Sequence, residues 1–120
     1  VPHASNMLTG AHLELPAFDE NDHRALRKAE WMKESMLKVA RVQFLVQEGE
    51  RTMGQAAIQF VLAKPTIVSV LPNITSMDDL KEFTQAVDVP GLSQTDQDYI
   101  LDLWHNGFDL KEEEKAFREI

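Results

Sequence analysis

The stretch that most constrains the fold is residues 51–82, RTMGQAAIQF VLAKPTIVSV LPNITSMDDL KE. Thr52 with Gln55 three residues on has the pattern of a capping box, so a helix is expected to start there. Met53, Ala56, Ala57, Phe60 and Val61 then recur at helical spacing and give one apolar stripe. Lys64-Pro65 stops that helix, because the residue before proline is pushed out of the α region. Ile67, Val68, Val70 and Leu71 form a short, β-branched, almost continuous apolar run, the pattern of a strand covered on both faces. A loop at 72–75 follows, and Thr75 or Ser76 can cap a second helix beginning near Met77.

Helix, buried strand, loop and helix in that order predict an α/β architecture of the barrel or doubly wound kind. The residues also closely resemble the C-terminal signature of the aldo-keto reductases. That family shows an R-T-x-x-Q-x-A-[LI]-x-[FW]-x-L helix, then P-x-V-x-[SV]-[VI]-[IL]-P, then a helix opening on the cofactor. The resemblance reaches back to VPHASNMLTG at 1–10, similar to the segment after the family's seventh strand, and forward through Pro90-Gly91-Leu92-Ser93 to the helix around Tyr99 and Trp104. FDENDHR at 18–24, PNI at 72–74 and NGF at 106–108 resemble a bacterial branch. The resemblance implies the C-terminal portion of a (β/α)8 TIM barrel: about the last two βα units plus terminal helices, mostly α-helical in content.

The chain has 120 residues, whereas a complete barrel of this kind takes about 250. Val1 already stands inside the expected seventh strand, and a truncated or partly recorded chain is expected. Residues 1–120 are read as one partial domain, with 109–120 as a charged tail. A net charge of −8 argues against nucleic acid or an anionic membrane as partner, since both require a basic surface. With no cysteine there are no disulfides and no thiolate metal sites, which fits a reducing cytoplasm. No apolar run approaches the roughly 20 residues of a spanning helix.

In chain order, residues 10–22 read as irregular, and Asn21 or Asp22 can cap a long helix over about 23–48. Its buried face is expected from Met32, Met36, Val39 and Val46 with Leu37, Ala40 and Phe44, and Arg27, Lys28, Glu34, Lys38 and Arg41 are expected in water. Gly49 is a candidate C-cap. Beyond the central unit, Met77, Leu80, Thr84 and Val87 are expected to bury one side of the second helix. Ser93 can cap a last amphipathic helix buried through Ile100, Leu103 and Trp104 and ended by Asn106-Gly107.

Candidate chemistry is sparse. The family's Asp, Tyr, Lys and His tetrad lies on earlier strands, so no catalytic residue is assigned, and the chain alone is expected to be inactive. Tyr99 reads as a packing residue. His3, His12, His23 and His105 offer no i, i+4 metal pair, and Glu112, Glu113 and Glu114 read as a solvated run. His3 stands where the family usually has leucine, so an imidazole with a catalytic role is not expected there.

What remains is cofactor binding. Barrel phosphate sites often form where the last two strand–helix loops meet a helix N-terminus. The resemblance places Ser5, Leu8 and Thr9 near the diphosphate of NADP or NAD, and Asn73, Thr75, Asp79, Glu82 and Phe83 around its adenosine end. The chain departs from the family here. Asn73 replaces the common Lys or Gly, Asp79 stands where Arg or Gln often meets the adenosine phosphate, and Phe83 replaces an Asn beside the retained Glu82. An acidic residue near the ribose often favours NAD. Asp78 and Asp79 equally suit the positive end of a helix dipole. The cofactor is expected to bind in an intact barrel and not tightly to this chain alone. Exposed strand and helix faces imply association with copies of the chain or with the missing barrel half. A non-catalytic, self-associating helical module is the alternative reading.

Overall fold

The computed structural model describes residues 2–4, 7–9, 29–46 and 50–112. Its regular elements are helices: α1 (Ala29–Arg41), α2 (Met53–Leu62), α3 (Met77–Thr84) and α4 (Gln94–His105). Short 3-10 turns at Gln43–Leu45, Gln85–Val87 and Gly107–Asp109 follow α1, α3 and α4. The loop at 10–22, the start of the long helix before residue 29, the Gly49 cap and the tail beyond 112 lie outside the described residues.

The helix starts follow the caps in the sequence. Thr52 Oγ1 accepts the Gln55 amide at 3.2 Å while Gln55 Oε1 accepts the Thr52 amide at 3.0 Å, which closes the capping box. Ser76 caps α3 through the Asp79 amide, and Ser93 caps α4 through the Asp96 amide. The helix α2 ends at Leu62 with Ala63 as its C-cap, just ahead of Lys64-Pro65.

Around α2 the core divides in two. Met53 and Ala56 join Val42, Leu45 and Leu103 on one side. Ile58 joins Phe83 and Ala86 on the other. Fully burying a large apolar side chain contributes about 1.5–3 kcal/mol, so α2, buried from Met53 through Ile58, is the element the rest packs on. Polar clasps set the spacing. Gln55 Nε2 donates to the Glu82 carbonyl at 2.9 Å and Gln59 Nε2 to the Ala86 carbonyl at 3.0 Å. Arg51, buried at the head of α2, donates Nε to Leu45 O at 2.7 Å and Nη1 to Pro90 O at 3.0 Å and Gly91 O at 3.1 Å. Its Nη2 reaches Asp96 at 3.3 Å. One guanidinium thereby ties the α1–α2 connection, the α3–α4 connection and the first turn of α4 together, with its donors spread over a planar fork.

Several expectations are corrected. Residues 67–71 form no strand, and no strand element occurs among the described residues. A strand exists through the ladder its neighbours provide, and here none lies beside it. Val70 packs on the Ile58 and Phe83 cluster, while Val68 is 93% exposed and Leu71 82% exposed. On α3 the buried residue is Phe83, followed by Ala86, and not the stripe of Met77, Leu80, Thr84 and Val87, which faces outward. The glutamine clasps hold the backbone at 82 and 86 against α2 and so select that face. Along α1, Met32 is buried, whereas Leu37 and Ala40 are exposed, as are Phe44 and Val46 beyond its end. Glu34 is buried instead of solvated, with Lys38 Nζ 2.8 Å from its carboxylate. On α4 Leu103 is buried and Ile100 half-buried, but Trp104 is 65% exposed. Tyr99 is half exposed and meets the Phe44 ring edge-on, with centroids 4.9 Å apart.

Candidate functional site

The loop before α3 is latched by the first turn of that helix. Asp79 Oδ2 accepts the Thr75 amide at 3.1 Å and the Thr75 hydroxyl at 2.9 Å. Those two donors, the amide first, hold the Asp79 carboxyl below its ordinary value of 3.8. Its charge therefore already has partners within the loop. Asn73 and Thr75 lie exposed on the same connection. No lysine or arginine occurs from Asn73 to Leu80, so local positive potential comes from the helix end and from Lys81 on α3.

Farther along α3, Glu82 and Phe83 turn toward α2. The Thr52 hydroxyl donates to Glu82 Oε2 at 2.7 Å. Phe83 is buried against the ring of His3, with centroids 4.5 Å apart and planes tilted by 35°. His3 is 0% exposed, and its Nε2 lies 2.9 Å from the Gly54 carbonyl oxygen. A carbonyl only accepts, so Nε2 carries the hydrogen and Nδ1 is the bare nitrogen. Nδ1 is buried without a hydrogen-bond partner.

Gly54 makes this junction possible. A Cβ there would stand 2.5 Å from Glu82 Oε2 and 2.8 Å from Phe83 Cε1. Glycine inside a helix costs about 0.8–1.0 kcal/mol relative to alanine, and at Gly54 it admits the Glu82 and Phe83 side chains of α3. The sequence signal for the junction was this glycine, one residue into the α2 turn. The roles of His3, Arg51 and Gln59 had no comparable local signal.

Met7 N donates to Ala4 O and Leu8 N to His3 O, at 3.2 and 3.1 Å, so two amides of the expected diphosphate loop are spent inside the loop itself. The Leu8 side chain packs on the Val42–Leu103 cluster. Thr9 is half-buried, and Ser5 lies outside the described residues. The structure thus brings the 2–9 loop and α3 together through His3 and Phe83. Asn73, Thr75 and Asp79 form a separate group at the other end of α3.

An apolar groove of about 270 Å³ lies along α2, between α1 and α4, lined by Met7, Leu8, Val39, Phe60 and Ile100 among others. Its wall is almost bare of exposed polar surface, and of the expected cofactor residues that are described only Leu8 reaches it. That lining suits hydrocarbon, with Ser35 and Lys38 as the polar side chains among the residues around it. Among the described residues no three His, Asp or Glu side chains come together to hold a metal ion. Likewise, no helix among them is long and apolar enough to cross a membrane.

Comparison with curated proteins and with solved structures returns no match in either case. The family model for the aldo/keto reductases, in contrast, matches residues 1–105. That span takes in α2, α3, α4, the capping motifs and the His3 loop, nearly nine-tenths of the sequence, and the chain belongs to the aldo/keto reductase family.

Proposed function

We propose that this chain is the cofactor-side, C-terminal portion of an NAD(P)H-dependent aldo-keto reductase barrel of a bacterial branch. In this reading the 2–9 loop faces the diphosphate, and the 73–83 segment faces the adenosine end. The observation that carries it is the junction of His3 with Gly54 and Phe83, which joins the two segments the family resemblance assigns to one dinucleotide. Asn73, Thr75 and Asp79 are the residues left accessible for the adenosine end, while Glu82 and Phe83 hold α3 against α2 and His3. The negative charge of Asp79 favours a cofactor without a 2′-phosphate. The chain carries none of the family's tetrad and does not turn over by itself. A purified sample of verified mass, mixed with NADH or NADPH and a panel of aldehydes and ketones, should show no cofactor oxidation. Steady turnover would overturn the assignment of an inactive cofactor-side piece.

A second reading, a non-catalytic module that associates with itself, is favoured by one observation. Val68, Leu71, Met77 and Val87 are exposed along one stretch of chain and leave apolar surface in water. It is distinguished by the effect of nicotinamide cofactor on association. A cofactor-side piece changes its spectrum with cofactor, whereas a purely structural module responds to protein concentration alone.

A further inference from the structure

We infer that His3 is a positioning residue that sets the register between the two cofactor-facing segments, an inference that rests on the cofactor reading above. Three contacts converge on this one residue. Its backbone carbonyl accepts the Leu8 amide at 3.1 Å and closes the 2–9 loop. Its Nε2–H donates to Gly54 O at 2.9 Å and fixes the loop to the first turn of α2. Its ring lies on Phe83, four residues beyond Asp79 on α3 and so about one helical turn away. The imidazole is wholly buried, so it cannot itself touch a bound ligand. Any influence on the cofactor passes through the loop on one side and α3 on the other.

The contact tolerates little substitution in its surroundings. Gly54 has no room for a Cβ beside Glu82 and Phe83, and Gln55 clamps the Glu82 carbonyl from the same turn of α2. Leucine at position 3 would fill space but has no donor for Gly54 O. Glutamine would keep a side-chain N–H donor and lose the ring. The two changes therefore separate the hydrogen bond from the stacking.

The test uses three probes on the 120-residue chain, followed by amide chemical shifts up to millimolar concentration. Adenosine engages the α3 segment, inorganic pyrophosphate engages the 2–9 loop, and ADP-ribose must engage both at once. His3→Leu should weaken ADP-ribose by up to about tenfold, the worth of one hydrogen bond, while adenosine and pyrophosphate bind as before. His3→Gln should restore most of the ADP-ribose affinity. Nitrogen-15 shifts of the His3 ring in the unaltered protein should report the Nε2–H tautomer, a readout that needs no variant. Unchanged ADP-ribose binding by His3→Leu, an equal loss for all three probes, or the Nδ1–H tautomer would each overturn the positioning role while leaving the cofactor reading standing. If the unaltered chain binds none of the probes, the cofactor reading fails and this inference fails with it.

Discussion

Gln55 Nε2 lies 2.9 Å from the Glu82 carbonyl oxygen, so the residue that completes the α2 capping box also clamps α3. Gln59, one turn along, makes the same contact with Ala86. The two glutamines act as rungs between helices, and they fix which face of α3 is buried. Gln55→Ala removes the rung and half of the capping box together. We expect a loss of about 1–2 kcal/mol, read as a lower urea midpoint with an unchanged slope. An unchanged midpoint would show that the clamp is incidental.

Gly54→Ala tests the close approach of α2 and α3. Alanine is the better helix former, so an open site would gain stability. Here the added methyl meets Glu82 Oε2 and the Phe83 ring. Glu82 can swing aside, but the buried ring cannot move freely, and overpacking of this kind costs about 1–3 kcal/mol. Stabilisation by the substitution would contradict the packing described.

Arg51→Ala should be among the most damaging single changes. It removes four hydrogen bonds and leaves the carbonyls of Leu45, Pro90 and Gly91 without their donor. The expected cost is about 2–4 kcal/mol, against a total of about 5–15 kcal/mol for a small domain. Arg51→Lys keeps the charge and loses the fork, so it should recover only part of the stability. Full recovery with lysine would show that charge alone matters.

These cases mark what the sequence could reveal. Capping is local, with donor and acceptor within three residues, so Thr52 and Ser93 were legible as helix starts and Ser76 as one of two neighbouring candidates. Lys64-Pro65 was legible for the same reason. The run at 67–71 has strand composition but no strand, because its ladder must come from another segment. On α3 two apolar sets share helical spacing, and only contacts across 27 residues of sequence, from Gln55 to Glu82 and Gln59 to Ala86, choose between them. Phe83 was read as facing the cofactor because the family resemblance concerns aligned positions. Its burial comes from Ile58 and Ala86 together with the His3 ring, contacts that no local pattern announces.

The Thr75–Asp79 latch should respond to acid. The Thr75 donors favour the charged carboxylate, so the folded value is lowered from 3.8. The latch is then fully present above the unfolded value and is lost as pH falls through the lowered one. The Thr75 amide shift should stay constant from neutral pH down to about 4, near the unperturbed carboxylate value, and change only below it. A midpoint at or above 3.8 would contradict the hydrogen-bonded geometry.

Apolar exposure along 68–87 predicts association. Each large apolar group left in water forgoes about 1.5–3 kcal/mol of burial, and Val68, Leu71, Met77 and Val87 together form a strong drive to pair. Light scattering at micromolar concentration should report a dimer or larger, and Leu71→Lys should shift the distribution toward monomer. A monodisperse monomer of 13.7 kDa would sink the proposal.

Cofactor contact is tested most directly by titrating the chain with NADH and with NADPH while following every amide by nuclear magnetic resonance. The cofactor-side account predicts weak, saturable shifts centred on Asn73, Thr75, Asp79 and Thr9, larger for NADH than for NADPH. Asp79→Arg should reverse that order. Two charges about 4 Å apart at an effective dielectric near 20 interact by about 4 kcal/mol before desolvation, so the reversal is measurable. Absence of saturable shifts at millimolar cofactor, or shifts confined to the apolar groove between α1 and α4, would contradict the account.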